Sequence, residues 1–460
     1  MGRSLCGGGV LDAIYVDSGR GSGSFSSTSG RAKAVVIAIH LLFVIDTAVV
    51  NGHNELWTGV AAPHNDELGA VYSLYCSGIP HRSAIRGVTT SGQGNLKLAI
   101  VVPSLGAGGA ERVAGIVANG LARSGVQVTF IALDRPDEPR HVDLENEIHL
   151  MRLALTGASR NSLTAISTNW TRIRALRRAL QTASPDGVLS AVTETNVLTL
   201  MAAGRRWPVL VWEHTDPWLW KLKKPWWWAR WFLYRRAVSV VFLSRHHANY
   251  FKHRGYQIMS EVIPNPVPAL SVTGMSEGAI PVPKPFILGV GRLDRLKGFF
   301  ELLGLFKQVK SNHPEWSLVI VGDGNEAASL KQSAEYLGIA QSVYFTGAVM
   351  DPYPYYRACE IFISLSELEG FPMALIEAMS CGCPVVMNAY SEAVHEIIDH
   401  GRNGFIVDRS NKENLHQVVN RLVVDDKLRK QIGHNGASVL DTYAEAKIID
   451  GWKQLIAAVL

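Results

Sequence analysis

Leu96-Lys97-Leu98-Ala99-Ile100-Val101-Val102 runs into Pro103-Ser104-Leu105-Gly106-Ala107-Gly108-Gly109, and the reading of this stretch decides the fold. The first seven residues are apolar and rich in β-branched side chains, the pattern of a short buried strand. A glycine-rich turn follows. Glu111 to Ser124 then spaces its apolar residues as a helix does and stops at Gly125, and Val126 to Leu133 is a second apolar strand. Strand, glycine turn, helix and strand in that order make a βαβ unit, which implies a parallel sheet.

The scheme continues in both directions along the chain. Further short apolar strands are expected at Gly187 to Ser190, Val209 to Trp212 and Ser239 to Leu243. Ile263-Pro264-Asn265-Pro266-Val267-Pro268 breaks the pattern, and the proline-containing stretch to Pro285 reads as an interdomain linker. Phe286 to Val290 restarts it with a strand, Gly291 and a helix from about Gly298. Trp316 to Val321, Gly322-Asp323-Gly324 and Glu326 to Leu337 repeat it, and Val343 to Phe345, Ile361 to Ser364, Pro384 to Met387 and Gly404 to Val407 supply more strands. The fold class is therefore α/β, two Rossmann-like doubly wound domains in tandem, with a ligand cleft at the carboxyl ends of both sheets.

The 460 residues suit two domains and an extra segment, and 47% hydrophobic with 18% charged residues is a globular composition. A formal charge of +5 is explained by a slightly basic solvated surface. Five cysteines form no disulfide framework, and Cys381-Gly382-Cys383 lacks zinc-site spacing, so buried thiols in a reducing, cytoplasmic setting are expected. Residues 1–94 are Gly- and Ser-rich with no steady period, and are expected to be a poorly ordered extension that need not belong to the natural protein. Within them Ala34 to Val50 is apolar but short for a membrane span, and it holds His40 and Asp46. An Asp at a bilayer centre costs about 2.5–3.5 kcal/mol.

Three glycine-containing stretches carry the chemistry. Glu369-Gly370-Phe371-Pro372-Met373-Ala374-Leu375-Ile376-Glu377 follows a strand and opens a helix. Gly370 admits close backbone approach, the helix start favours an anion, and Glu369 and Glu377 can bracket a polyhydroxylated molecule. Gly291-Arg292-Leu293-Asp294-Arg295-Leu296-Lys297-Gly298 sets Arg292 and Lys297 beside glycines, a pairing suited to a diphosphate. In the loop after the first strand, Gly108, Gly109 and Glu111 open a helix that could hold phosphate or sugar oxygens. A dinucleotide fingerprint would compete here, with Asp134 ending the second strand as it requires, but the Gly-x-Gly-x-x-Gly pattern fails at Glu111 and at Ala110.

Together these stretches resemble glycosyltransferases of the GT-B fold, in particular retaining family four (group 1), over roughly Leu96 to Leu460. Glu369 and Glu377 match the family's Glu, seven residues, Glu motif, and Arg292 and Lys297 its diphosphate-binding pair. Gly108-Gly109-Ala110-Glu111-Arg112 resembles the loop of members that build bacterial surface polysaccharides and lipopolysaccharides. Glu213-His214-Thr215-Asp216-Pro217 also looks like a cleft-facing segment of those members, although Trp212 stands where Ser is usual. The resemblance implies retaining transfer of a hexose or N-acetylhexosamine from a nucleotide-diphosphate sugar to a saccharide or lipid-linked acceptor. It implies that Glu377 holds the ribose, Glu369 contacts the donor sugar, and Gly370, Phe371 and Pro372 line the sugar and phosphate site. His214 is a candidate sugar contact rather than a general base. Base recognition is expected near Gly347 to Met350, largely by backbone.

No Asp-x-Asp occurs in the sequence, so Arg292 and Lys297 are expected to replace a metal at the leaving diphosphate, and no cofactor is expected. By analogy with the fold the domains are 95–265 (acceptor side) and 266–442 (nucleotide-sugar side), with a helix over 443–460 returning to the first. Trp218 to Arg236 holds six of the twelve tryptophans, interleaved with Lys221, Lys223, Lys224, Arg230, Arg235 and Arg236. That mixture suits peripheral contact with the inner face of an anionic membrane. Arg160, Arg172, Arg174, Arg177 and Arg178 add a second basic segment, while no motif supports a nucleic-acid partner. The competing functions are a non-catalytic nucleotide-sugar-binding subunit, or an epimerase or phosphorylase of the same fold.

Overall fold

The computed structural model describes residues 96–460 apart from 107, 156–161, 223 and 269–281. The expected extension over 1–94, Arg160, Lys223 and the middle of the linker lie outside these. The described chain forms two wholly parallel sheets. The first contains β1 (Lys97–Val102), β2 (Gln127–Ala132), β3 (His149–Arg152), β4 (Gly187–Ala191), β5 (Val209–Trp212), β6 (Ser239–Phe242) and β7 (Ser260–Val262), in the order β3-β2-β1-β4-β5-β6-β7. The second contains β8 (Phe286–Val290), β9 (Ser317–Val321), β10 (Val343–Gly347), β11 (Ile361–Ser364), β12 (Val385–Asn388) and β13 (Phe405–Val407), ordered β10-β9-β8-β11-β12-β13. The order reverses between β1 and β4 and again between β8 and β11. Each reversal opens a crevice at the carboxyl ends of its strands, because the flanking loops turn away to opposite faces.

Helices cover both faces of each sheet. In the first domain these are α1 (Gly109–Arg123), α2 (Ser162–Ala183), α3 (Thr193–Ala203), α4 (Lys224–Leu233) and α5 (Arg245–His253). In the second they are α6 (Phe299–Asn312), α7 (Ala327–Tyr336), α8 (Tyr353–Ala358), α9 (Met373–Ser380), α10 (Lys412–Val424), α11 (Asp426–Gly436) and α12 (Leu440–Tyr443). Burial on both faces explains why the strands are continuous apolar runs instead of alternating ones. Ile100 of β1, for example, is fully buried between Phe130 and Leu189 of its neighbours.

The final helix, α13 (Glu445–Val459), leaves the second domain and packs on α1 of the first. Ile449 fills the space above Gly120, and the fully buried Trp452 meets Trp212 edge-on with ring centroids 4.8 Å apart. The chain thus passes between the sheets twice. The two crossings are tied where the Val267 amide donates to the Tyr443 carbonyl at 2.7 Å.

Candidate active site

The loops at the two crevices face each other across a cavity of about 440 Å³. Gly108, Gly109, Glu111 and Arg112 enter it from the start of α1, His214 and Thr215 from the end of β5, and Asn265 from the first crossing. Arg292 and Lys297 enter after β8, Tyr356 from α8, and Glu369, Gly370, Phe371, Pro372 and Glu377 from the loop into α9. The residues selected from the sequence for catalysis and for the donor's sugar and diphosphate therefore line this one cavity, whereas Gly347 to Met350, expected near the base, do not.

Glu377 is only 2% exposed, and both its oxygens are engaged. Arg112 Nη2 donates to Oε1 at 2.5 Å and the Tyr356 hydroxyl donates to Oε2 at 3.0 Å. Arg112 comes from the other domain, so a carboxylate buried in one half is neutralised by a cation of the other. Lys297 Nζ donates to Glu369 Oε1 at 2.6 Å, with both side chains mostly shielded. Arg292 is 75% exposed and pairs with Asp294 at 3.0 Å, which leaves its guanidinium at the open side of the cavity.

Glu111 curls back over the start of its own helix. A Cβ at Gly108 would lie 2.0 Å from Glu111 Oε2, so a side chain there would push this acid out of its present place. Burial raises the Glu111 carboxyl above its ordinary range, opposed by its own backbone amide, by Ser104 and by Arg292. The helix end that could hold an anion thus already carries one of the chain's own carboxyls. Asp134 is not available to a ribose: it accepts from the Leu105 amide at 2.7 Å and from two Arg152 nitrogens at 2.8 and 3.1 Å, bracing the β1–α1 loop.

His214 is buried, its ring centroid 4.3 Å from that of Trp212, and burial holds its pKa down at about 3. It is neutral at physiological pH, and Nε2 has no hydrogen-bond partner. The segment around it does not face the cleft as a whole. Glu213, 1% exposed, points inward to the Tyr234 hydroxyl, Thr193 Oγ1 at 2.8 Å and Asn196, with Arg230 at 3.9 Å. Gly370 closes against this segment: a Cβ there would lie 1.8 Å from the His214 carbonyl oxygen, so the two domains touch at this glycine.

A second set of contacts joins the domains beside the cavity. Asp216 accepts from Ser391 Oγ of the second domain at 2.6 Å and lies 3.4 Å from His247 Nε2. Glu396 of the second domain accepts from the Arg245 and His246 amides at the start of α5, at 2.9 and 2.7 Å. In the sequence Asp216 and Arg112 stand within motifs that do not signal these roles, and nothing there singles out Tyr356. Tyr356 sits in an aromatic run that carries no spacing signal.

The aromatic-basic stretch divides. Trp226 and Trp231 pack on the core of the first domain, and Arg230 is 1% exposed, lying over the Phe251 ring and beside Glu213. Arg230 is thereby a core residue, and Trp231 meets the Tyr256 ring edge-on with centroids 4.2 Å apart. Trp218, Leu219 and Trp220 remain exposed. Cys359 and Cys383 are buried with sulfurs 2.7 Å apart. Burial pushes the Cys359 thiol up and Cys381 to about 11, so neither of these two is a nucleophile at neutral pH. Among the described residues no group of three or more His, Cys, Asp or Glu side chains is gathered as a metal would need. No helix among them is long and apolar enough to cross a membrane.

Two parallel-sheet domains with paired cations and carboxylates on a shared cleft define a GT-B glycosyltransferase. The family described as Glycosyltransferase Family 4 matches residues 107–269, and that described as Glycosyl transferases group 1 matches residues 275–439. The chain belongs to these glycosyltransferases, one domain to each half. It is 28% identical over 363 residues to an uncharacterized glycosyltransferase of Haemophilus influenzae, covering 78% of this chain and 99% of that one. It is 24% identical over 369 residues to the Campylobacter jejuni GalNAc-alpha-(1->4)-GalNAc-alpha-(1->3)-diNAcBac-PP-undecaprenol alpha-1,4-N-acetyl-D-galactosaminyltransferase, covering 79% of this chain and 99% of that enzyme. The solved structure of Anabaena HepE in complex with UDP-glucose shares the fold, with a TM-score of 0.66 at 20% identity, over 79% of this chain and all of that one.

Proposed function

We propose that the protein transfers a hexose or N-acetylhexosamine, with retention and without a metal, from a nucleoside-diphosphate sugar to a saccharide or lipid-linked saccharide acceptor in surface polysaccharide assembly. The observation that carries this reading is the convergence of Arg292, Lys297, Glu369, Glu377 and His214 on one interdomain cavity. The leaving diphosphate gains negative charge as the glycosidic bond breaks. Lys297 is held in the cavity by Glu369, and Arg292 lies at its open side, so two cations can meet that charge without first crossing solvent. Glu377 offers two buried acceptor oxygens for a ribose diol, which would share or exchange them with Arg112 on Oε1 and Tyr356 on Oε2. The donor's phosphate is the base for the acceptor hydroxyl in this reading, since burial holds the His214 pKa down at about 3, which makes it a weak proton acceptor, and among the described residues no carboxylate pairs with it.

The C. jejuni relative is named for action on an undecaprenol-linked saccharide, and HepE was solved in complex with UDP-glucose. Both support the substrate classes proposed here. A lipid-linked acceptor also calls for a site on the cytoplasmic face of the membrane. Exposed Trp218, Leu219 and Trp220 beside exposed Lys221 suit such a surface. Replacing both tryptophans by Ala is expected to reduce co-sedimentation with anionic vesicles while leaving nucleotide binding intact; equal sedimentation would remove this face from the account.

Thermal shifts with UDP, GDP and ADP, with and without chelator, test the donor site. A nucleotide at about 100 times its dissociation constant adds roughly 2.7 kcal/mol of stability. One nucleotide is expected to raise Tm regardless of chelator and to lose most of that effect in Lys297→Ala. No shift with any of the three would refute the site.

A further inference from the structure

Two residues that line the cavity each hold a buried polar atom with no hydrogen-bond partner: His214 Nε2 and Asn265 Oδ1. A buried polar atom without a partner costs the desolvation it never recovers, and beside a cavity a ligand group can complete its bonding. Asn265 is 3% exposed and belongs to the stretch that crosses between the domains, not to any motif that carries the chemistry above.

Its placement is rigid. Pro264 and Pro266 flank it and fix the backbone on either side. Two residues before it, the Ile263 amide donates to the Phe242 carbonyl at 3.0 Å. Two residues after it, the Val267 amide donates to the Tyr443 carbonyl at 2.7 Å. An asparagine held between two pinned points is preorganised for one geometry.

The chemistry of the two atoms separates the cavity into halves. Arg292 and Lys297 suit an anion. The Asn265 amide carries no charge, and its Oδ1 accepts only from an O–H or N–H donor, as a sugar ring offers, while its Nδ2 is the donor of the same group. The neutral imidazole of His214 fits an uncharged partner equally well. We infer that Asn265 is a specificity residue for the transferred sugar, its amide oxygen accepting from a hydroxyl or acetamido N–H of the ring while the cations hold the diphosphate. This rests on the donor-site reading above and assigns the sugar's side of it.

The test compares each nucleoside diphosphate with its own glucose and N-acetylglucosamine conjugates, by calorimetric titration of the whole chain. The readout is the ratio of the two dissociation constants, which isolates what the sugar adds. Asn265→Ala is expected to leave binding of the free nucleotide unchanged, which also certifies the fold, and to weaken the conjugate roughly tenfold. Asn265→Asp keeps an acceptor in place and is expected to retain most of the sugar's contribution. An unchanged ratio in Asn265→Ala would overturn the assignment, and equal weakening of nucleotide and conjugate would make Asn265 a hinge residue instead. Absence of nucleotide binding in the unaltered protein would instead sink the donor site itself, and this inference with it.

Discussion

At the scale of single residues, the site is a set of charges that already satisfy one another. Lys297 sits on Glu369 and Arg112 on Glu377, so a donor must exchange partners rather than fill empty positions. Removing the Lys297 cation by Lys297→Ala is expected to lower turnover by about 10²–10³, the range for losing one preorganised charge-stabilising group. Steady-state transfer assays check this, and a loss under fivefold would take Lys297 out of the chemistry. His214 makes a prediction about pH. Its folded pKa of about 3 lies below its ordinary 6.5, so the unfolded chain binds the proton first as pH falls. The stability linked to it is fully present above pH 6.5 and drains away between there and pH 3. Urea unfolding at pH 7 and pH 5 should therefore show a steeper acid loss in the native protein than in His214→Gln; parallel slopes would contradict a buried neutral imidazole. Gly370→Ala is expected to open the domain contact, since the new methyl would meet the His214 carbonyl, and to cut activity while each domain stays folded by circular dichroism.

At the scale of elements, the strands and glycine turns were the most readable part of the chain. β5, β8 and β11 have the bounds expected from their apolar runs, because doubly covered parallel strands advertise themselves as continuous Val, Ile and Leu. β3 and β7 were missed for the opposite reason: both are sheet edges, partly or wholly exposed, with His149 and Glu261 among their few residues. Side-chain partnerships were beyond reach. Nothing local in Arg112 says that its partner is Glu377, because the pair spans 265 residues and forms only when two domains meet. The tryptophan stretch misled in part for the same reason, since composition does not tell which face of α4 is covered. α13 carries the prediction at this scale. Trp452 is fully buried against Trp212 of the other domain, so Trp452→Ala is expected to cost about 3–5 kcal/mol in denaturant unfolding. A cost below 1 kcal/mol would show that the returning helix is not integral to the first domain.

At the scale of the molecule, the two domains are joined by tied crossings, by α13, and by contacts on both sides of the cavity. Asp216 with Ser391, and Glu396 capping α5, hold one side; Arg112 with Glu377 holds the other. These contacts hold loops of both domains against one cavity, the arrangement in which the proposed transfer would bring donor and acceptor together. The central proposal is that this cation-lined cleft moves a sugar with retention and without a metal. The most direct measurement is proton NMR of the product formed in excess chelator from an α-linked nucleotide sugar bound by the protein. The account predicts turnover undiminished by chelator and an α-glycosidic anomeric signal. A β-linked product, or activity that vanishes with chelator and returns with a divalent cation, would contradict it.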